Sequence, residues 1–176
     1  MSKAFKELLT VGGKSNSLGR AGEVVASVLD DTSRVEELYQ CMFHEDAWVR
    51  MRAADSFEKI CRERSDIILP YIDRIQAELA SSQQPSIQWH IAQLYEQLPL
   101  SGDQKHRAID WLGKLLSSTD VDWIVAANTM RALARFTKQG DFPRDKLLAL
   151  LNVQLRHKSN SVVKRARKTI QQVELT

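Results

Sequence analysis

Val49-Arg50-Met51-Arg52-Ala53-Ala54-Asp55-Ser56-Phe57-Glu58-Lys59-Ile60-Cys61 carries apolar or small residues at Val49, Ala53, Phe57 and Ile60. Counting Val49 as position 0, these are positions 0, 4, 8 and 11, which return to one face of an α-helix. The pattern recurs three more times, at intervals of 38, 38 and 37 residues: Ile87/Ile91/Tyr95/Leu98, Val125/Thr129/Leu133/Phe136 and Val162/Ala166/Ile170/Val173. A period of this length predicts a solenoid of helix pairs, because one repeat cannot bury its own apolar face and stacked neighbours bury it together.

Each copy follows a second apolar stripe: Val35/Leu38/Tyr39/Met42, Ile68/Ile72/Ile75/Leu79, Ile109/Leu112/Leu115/Leu116 and Leu147/Leu150/Leu151/Leu155. The unit is therefore a pair, an outer helix and a patterned one. Turn chemistry separates the segments at His44-Glu45-Asp46, Gln83-Gln84-Pro85-Ser86, Pro99 to Asp103, Ser117 to Asp120, Gly140-Asp141-Phe142-Pro143 and Ser159-Asn160-Ser161. Asp31-Thr32-Ser33 offers a cap before Val35. Pro85 suits the first turn of its helix, whereas Pro70 either starts its helix late or kinks it. Residues 1–30 read as an atypical capping pair, with Phe5, Leu8 and Leu9 on one short helix and Leu18 to Leu29 on the next. Residues 31–176 hold the four repeats, continuous with the cap as a single domain.

Composition is that of an ordinary folded chain: 176 residues, 43% hydrophobic and 27% charged, with no apolar run long enough for a membrane span. The first residues show no signal-peptide core before Gly12-Gly13. Cys41 and Cys61 are the two cysteines of a chain large enough to build its own core, which fits free thiols in a reducing compartment. The expected location is the cytoplasm.

Asp46-Ala47-Trp48-Val49-Arg50-Met51-Arg52-Ala53-Ala54-Asp55-Ser56-Phe57 resembles the second helix of a HEAT repeat, an armadillo-like helical family. An Asp precedes the helix, a Val-Arg pair follows, an Ala stands four residues after the Val, and a large apolar residue stands eight after it. By period and pattern the resemblance covers roughly residues 31 to 174. The other copies depart from it, with Gln88, Ala126 and Val163 in place of Arg50 and with Ile91 and Thr129 in place of Ala53. The resemblance implies an all-α fold without a β-sheet: a right-handed α-solenoid of about four to five stacked antiparallel helix pairs, whose second helices line the concave face.

Motifs for chemistry are sparse. Gly12-Gly13-Lys14-Ser15 ends like a phosphate loop, but Leu8 stands where the earlier glycine belongs and no strand precedes it, so it reads as an interhelical linker. Cys41, His44, His90, His106 and His157 form no recognised ligand spacing, and no nucleophile motif is present. The expectation is a non-enzymatic protein without metal or cofactor.

With positions 0, 4, 8 and 11 in the core, a step of about 100° per residue puts positions 3, 6 and 10 on the opposite side, expected to face solvent. They read Arg52, Asp55 and Lys59; His90, Gln93 and Gln97; Asn128, Arg131 and Arg135; Arg165, Lys168 and Gln172. This ladder holds six Arg or Lys against one Asp, net +5, when the whole chain carries +3. Lys164 and Arg167 lie beside it. Among Trp48, Trp89, Trp111 and Trp123, Trp89 next to His90 is the leading candidate for an exposed anchor, against the alternative that the indoles fill gaps between repeats. Arg20 and Glu23 are spaced to pair on the N-terminal unit.

The expected function is an adaptor or scaffold for protein–protein interaction, whose basic concave face holds an acidic protein or peptide. The alternative is a nucleic-acid binder, in which Arg52, Lys59, Arg131, Arg135, Arg165 and Lys168 neutralise phosphates. Its sharper version resembles the HEAT-like DNA glycosylases of alkylated bases, with Asp55 and Trp89 or Trp123 cast in the acidic and aromatic roles, though no family motif surrounds them. The HEAT-like subunits that attach bilin pigments share architecture alone.

Overall fold

The computed structural model describes residues 4–12 and 17–175. Every regular element among them is helical: α1 (Phe5–Thr10), α2 (Ala21–Asp30), α3 (Val35–Gln40), α4 (Ala47–Glu63), α5 (Ser65–Ile68), α6 (Ile72–Arg74), α7 (Pro85–Gln97), α8 (Gly102–Leu116), α9 (Trp123–Lys138), α10 (Arg144–Gln154) and α11 (Asn160–Glu174). The four patterned segments are α4, α7, α9 and α11.

Local chemistry sets the helix ends. The Asp46 and Asp122 carboxylates accept the N–H groups of Trp48 and Ile124 at 2.8 and 2.9 Å, satisfying donors that the first turns of α4 and α9 would otherwise leave open. Ser101 and Gln104 cap α8 reciprocally. Pro85 is the first residue of α7, where a missing N–H costs nothing. At the end of α9, Gly140 adopts φ +81°, and the N–H groups of Gly140 and Asp141 return to the carbonyls of Thr137 and Phe136. That Schellman turn requires a residue without a Cβ penalty in the left-handed region. Asp31 accepts from Ser33 N and caps a 3₁₀ turn, Thr32–Arg34, that leads into α3. At Pro70 the helix changes type: α5 passes through a 3₁₀ turn at Leu69–Tyr71 into α6, and the segment closes with a π turn at Ile75–Leu79. A ring without an N–H cannot donate to the α ladder there.

The repeated stripe is the core. Val49, Ala53, Phe57, Ile60, Ile87, Ile91, Tyr95, Leu98, Val125, Thr129, Leu133, Phe136, Val162, Ala166 and Val173 are buried, and Ile170 is partly so. From the outer stripes, only Leu115, Leu150 and Leu155 fall short of burial. One connected cluster of buried side chains runs from Phe5 to Val173. The patterned helices touch in chain order, α4 on α7, α7 on α9 and α9 on α11, with α2 on α4 before them, while α8 packs on α9 and α10 on α11. Tyr39, Phe57 and Tyr71 form an aromatic knot with ring centroids 5.2 to 6.0 Å apart, each pair worth about 1 kcal/mol beyond its area. No helix among the described residues is long and apolar enough to cross a membrane.

Ala53 has no exposed surface. Ala53→Asp places a carboxylate there with no partner and is expected to cost at least about 3 kcal/mol, enough to abolish a cooperative melt in a marginally stable domain. Circular dichroism against temperature checks this, and an unchanged melt would contradict the helix phase.

Candidate functional site

Because patterned helices lie side by side, the direction opposite the core divides between open solvent and the seam with the neighbouring helix. Position 3 falls in the seam. Arg52, His90 and Asn128, expected at the solvent face, are buried at 3%, 6% and 8% exposure, and only Arg165, on the last patterned helix, is exposed at that position.

Burial obliges each of these polar groups to find partners. Arg52 donates from Nη1 to the Leu9 carbonyl at 2.6 Å and from Nε to the Ser17 carbonyl at 2.9 Å, fastening the end of α1 and the start of the approach to α2 onto α4. Its guanidinium lies so close to Gly12 that a Cβ there would sit 2.2 Å from Cζ. Arg52 is a structural clamp and not a free cation of a groove. The remainder of the Gly12-Gly13-Lys14-Ser15 segment, residues 13–15, lies outside the described residues.

At the α4–α7 seam, Asp55 holds Lys59 at 2.7 Å and stands 3.8 Å from His90 Nε2. His90 Nδ1 lies 2.6 Å from the Ser86 carbonyl, which can only accept, so this nitrogen carries the proton. Nε2 is then free to accept the Trp89 indole N–H at 3.2 Å. Trp89 is thereby half-buried and engaged rather than presented to a partner. Burial pushes the Asp55 carboxyl up, whereas its polar neighbours, with the Lys59 ammonium at 2.7 Å, hold it below the ordinary carboxylate range. Lower on the seam, buried Glu58 accepts from Gln97 at 2.5 Å and from Arg62 at 2.7 Å, while Gln93 is half-buried between the two levels.

The α7–α9 seam repeats the arrangement. Arg131 donates to Glu96 at 2.5 Å and to Asn128 Oδ1 at 3.1 Å, and Asn128 donates onward to the Ile124 carbonyl. Beyond this point the pairing stops. Arg135, Arg165 and Lys168 are exposed and make no ion pair among the described residues. Ion pairs there begin at Arg20–Glu23, the pair that the spacing predicts, and none involves a residue after Asp141. Residues 146–173 hold seven Arg or Lys and no Asp or Glu, four of the cations being Lys164, Arg165, Arg167 and Lys168 on α11. The basic ladder thus separates into a self-neutralised part over α4 and α7 and a free part on α9 and α11.

Two features escape the sequence reading. Glu58 is a buried acid opposite Gln97, signalled only by its place beside position 10 of the next copy. The exposed indoles are Trp48 and Trp123, at 40% and 54%, each in the first turn after a capping Asp. Trp111 donates to the Ala80 carbonyl and edges onto Tyr95, so it fills a gap between helices. Cys41 and Cys61 are free and buried, and burial pushes their thiols up to about 11 and about 12, far from a reactive thiolate. Among the described residues no cluster of three or more His, Cys, Asp or Glu is placed to hold a metal ion.

Two outcomes follow from the seams. Arg52→Ala strands two carbonyls and is expected to cost about 2 kcal/mol, with amides of α1 exchanging with deuterium before global unfolding; unchanged α1 protection would show that the segment is held by other contacts. Asp55 has a folded-state pKa below its unfolded value, so its stabilisation is complete above the unfolded carboxylate range, about 3.9, and is lost as pH falls through the lower folded value. Asp55→Asn is expected to flatten the acid limb of a denaturation-against-pH profile, and an identical limb would remove Asp55 from this role.

No protein-family model matches the chain, and no curated protein matches it. Among solved structures, it is similar to the crystal structure of an engineered protein: 19% sequence identity, 98% of this chain and 80% of that one covered, TM-score 0.62. At that identity the likeness concerns the fold alone.

Proposed function

We propose that the chain is a non-enzymatic binding protein of the HEAT-like, armadillo-like class: a right-handed stack of antiparallel helix pairs that holds an acidic protein or peptide on its last two patterned helices. The repeat period, the patterned helices touching in chain order and the continuous core support the stacked reading. The observation that carries the functional reading is the change in charge pairing along the chain. Residues 1–122 contain fourteen Arg or Lys against nineteen Asp or Glu, net −5; residues 123–176 contain eleven against three, net +8.

Like charges at Lys164 and Lys168 are four apart on one helix, an arrangement that weakens the helix by a few tenths of a kcal/mol without a counter-charge. A partner that brings carboxylates removes this repulsion and adds charge-assisted hydrogen bonds to Arg135 and Arg165. Such a field also accelerates encounter with an oppositely charged ligand and fades with salt.

The test is fluorescence anisotropy of a labelled Glu-rich peptide, duplex DNA and single-stranded RNA at low and near-physiological salt, with wild type and an Arg135→Glu/Arg165→Glu/Lys168→Glu variant. The acidic peptide is expected to bind with salt-dependent affinity and to weaken at least about tenfold in the variant, which melts like wild type because all three side chains are exposed. Binding of nucleic acid alone would transfer the surface to phosphate recognition. No binding at low salt would overturn the proposal.

A further inference from the structure

The turns that lead into α7, α9 and α11 enclose a cleft of about 460 Å³, within the range of natural small-ligand sites. Apolar surface from Pro85, Leu115, Val121 and Trp123 lines it, and Trp123 leaves 54% of its surface open. Most of the polar rim is already engaged. His157 donates from Nε2 to the Val121 carbonyl and accepts the Ser159 N–H at Nδ1, Asp122 caps α9, and Asp120 is tied to Ser118. The groups left open are the Trp123 ring face and the ammonium groups of Lys114 and Lys158, neither of which has a counter-ion among the described residues.

Charge arranges the cleft from one side to the other. Asp120 and Asp122 disfavour a carboxylate at its centre, whereas Lys158 stands at the start of α11, with Lys164 and Lys168 about 6 and 12 Å farther along the helix from Asn160 at 1.5 Å per residue. An extended peptide covers 12 Å with about four residues.

We propose that this cleft seats an aromatic side chain of the acidic partner segment, and that the carboxylates beside it run from Lys158 along α11. The inference rests on the acidic-partner reading above and adds the anchor and the direction of the bound segment. A half-exposed indole beside apolar surface and within a polar rim is the arrangement in which a few residues dominate binding.

Two synthetic peptides decide it: one with a Phe followed by four Glu, and the same peptide with Ala for Phe. Titration by calorimetry, with intrinsic tryptophan emission as a second readout, is expected to give at least about tenfold tighter binding for the Phe peptide. It should also shift the emission to the blue, since Phe contributes no tryptophan signal. Trp123→Ala is expected to erase both the affinity difference and the shift while leaving the Ala peptide's affinity unchanged. Arg165→Glu/Lys168→Glu should weaken both peptides together. Equal affinities of the two peptides for wild type, or a Phe preference that survives Trp123→Ala, would overturn the anchor and leave the cationic-surface reading standing. Binding of neither peptide would overturn both.

Discussion

The interaction on which the rest depends is the burial of one apolar stripe per patterned helix against its neighbours. None of these stripes can be covered within its own helix pair. Val49, Phe57 and Ile60 on α4, or Val125, Leu133 and Phe136 on α9, are removed from water only because another helix lies on each side. Each fully buried aliphatic or aromatic residue contributes roughly 2 kcal/mol relative to exposure, so the side-by-side order of α2, α4, α7, α9 and α11 follows from the stripe itself.

Side-by-side packing creates seams, and seams determine what the polar residues do. Once α7 lies against α4, Arg52, Glu58 and His90 are buried and Asp55 is half-buried, and they must find partners in one another or in the backbone. Arg52 turns toward the N-terminal segment, Asp55 toward Lys59 and His90, and Glu58 toward Arg62 and Gln97. At the next seam Arg131 and Glu96 pair at the exposed rim, while buried Asn128 bonds to the Ile124 carbonyl. On α11 no later patterned helix creates another seam among the described residues, and its cations face water. The free basic surface thus reflects which helices pack on α11, namely α9 and α10, as well as composition.

The edge formed by the turns follows different rules from the faces. Caps at Asp46 and Asp122 set where α4 and α9 begin, and each first turn carries an indole that no neighbouring helix covers fully. That places Trp48 and Trp123 in solvent, while Trp89 and Trp111, farther into the packed layers, give their indole N–H groups to His90 and Ala80. The proposed anchor at Trp123 draws on this difference between edge and layer.

The sequence by itself determined the all-helical architecture and the core. A pattern at positions 0, 4, 8 and 11 names a direction around a helix, and apolar burial makes that direction inward wherever the helix packs. It also determined that cations gather at positions 3, 6 and 10, and Arg135, Arg165 and Lys168 were legible on that basis. Only the tertiary structure decided which of the ladder residues are available. Arg52, His90 and Asn128 share a position with Arg165, yet three are buried and one is exposed. Periodicity specifies an angle about one axis, whereas exposure depends on whether a second axis lies along that angle, and that second axis is not encoded within the helix itself.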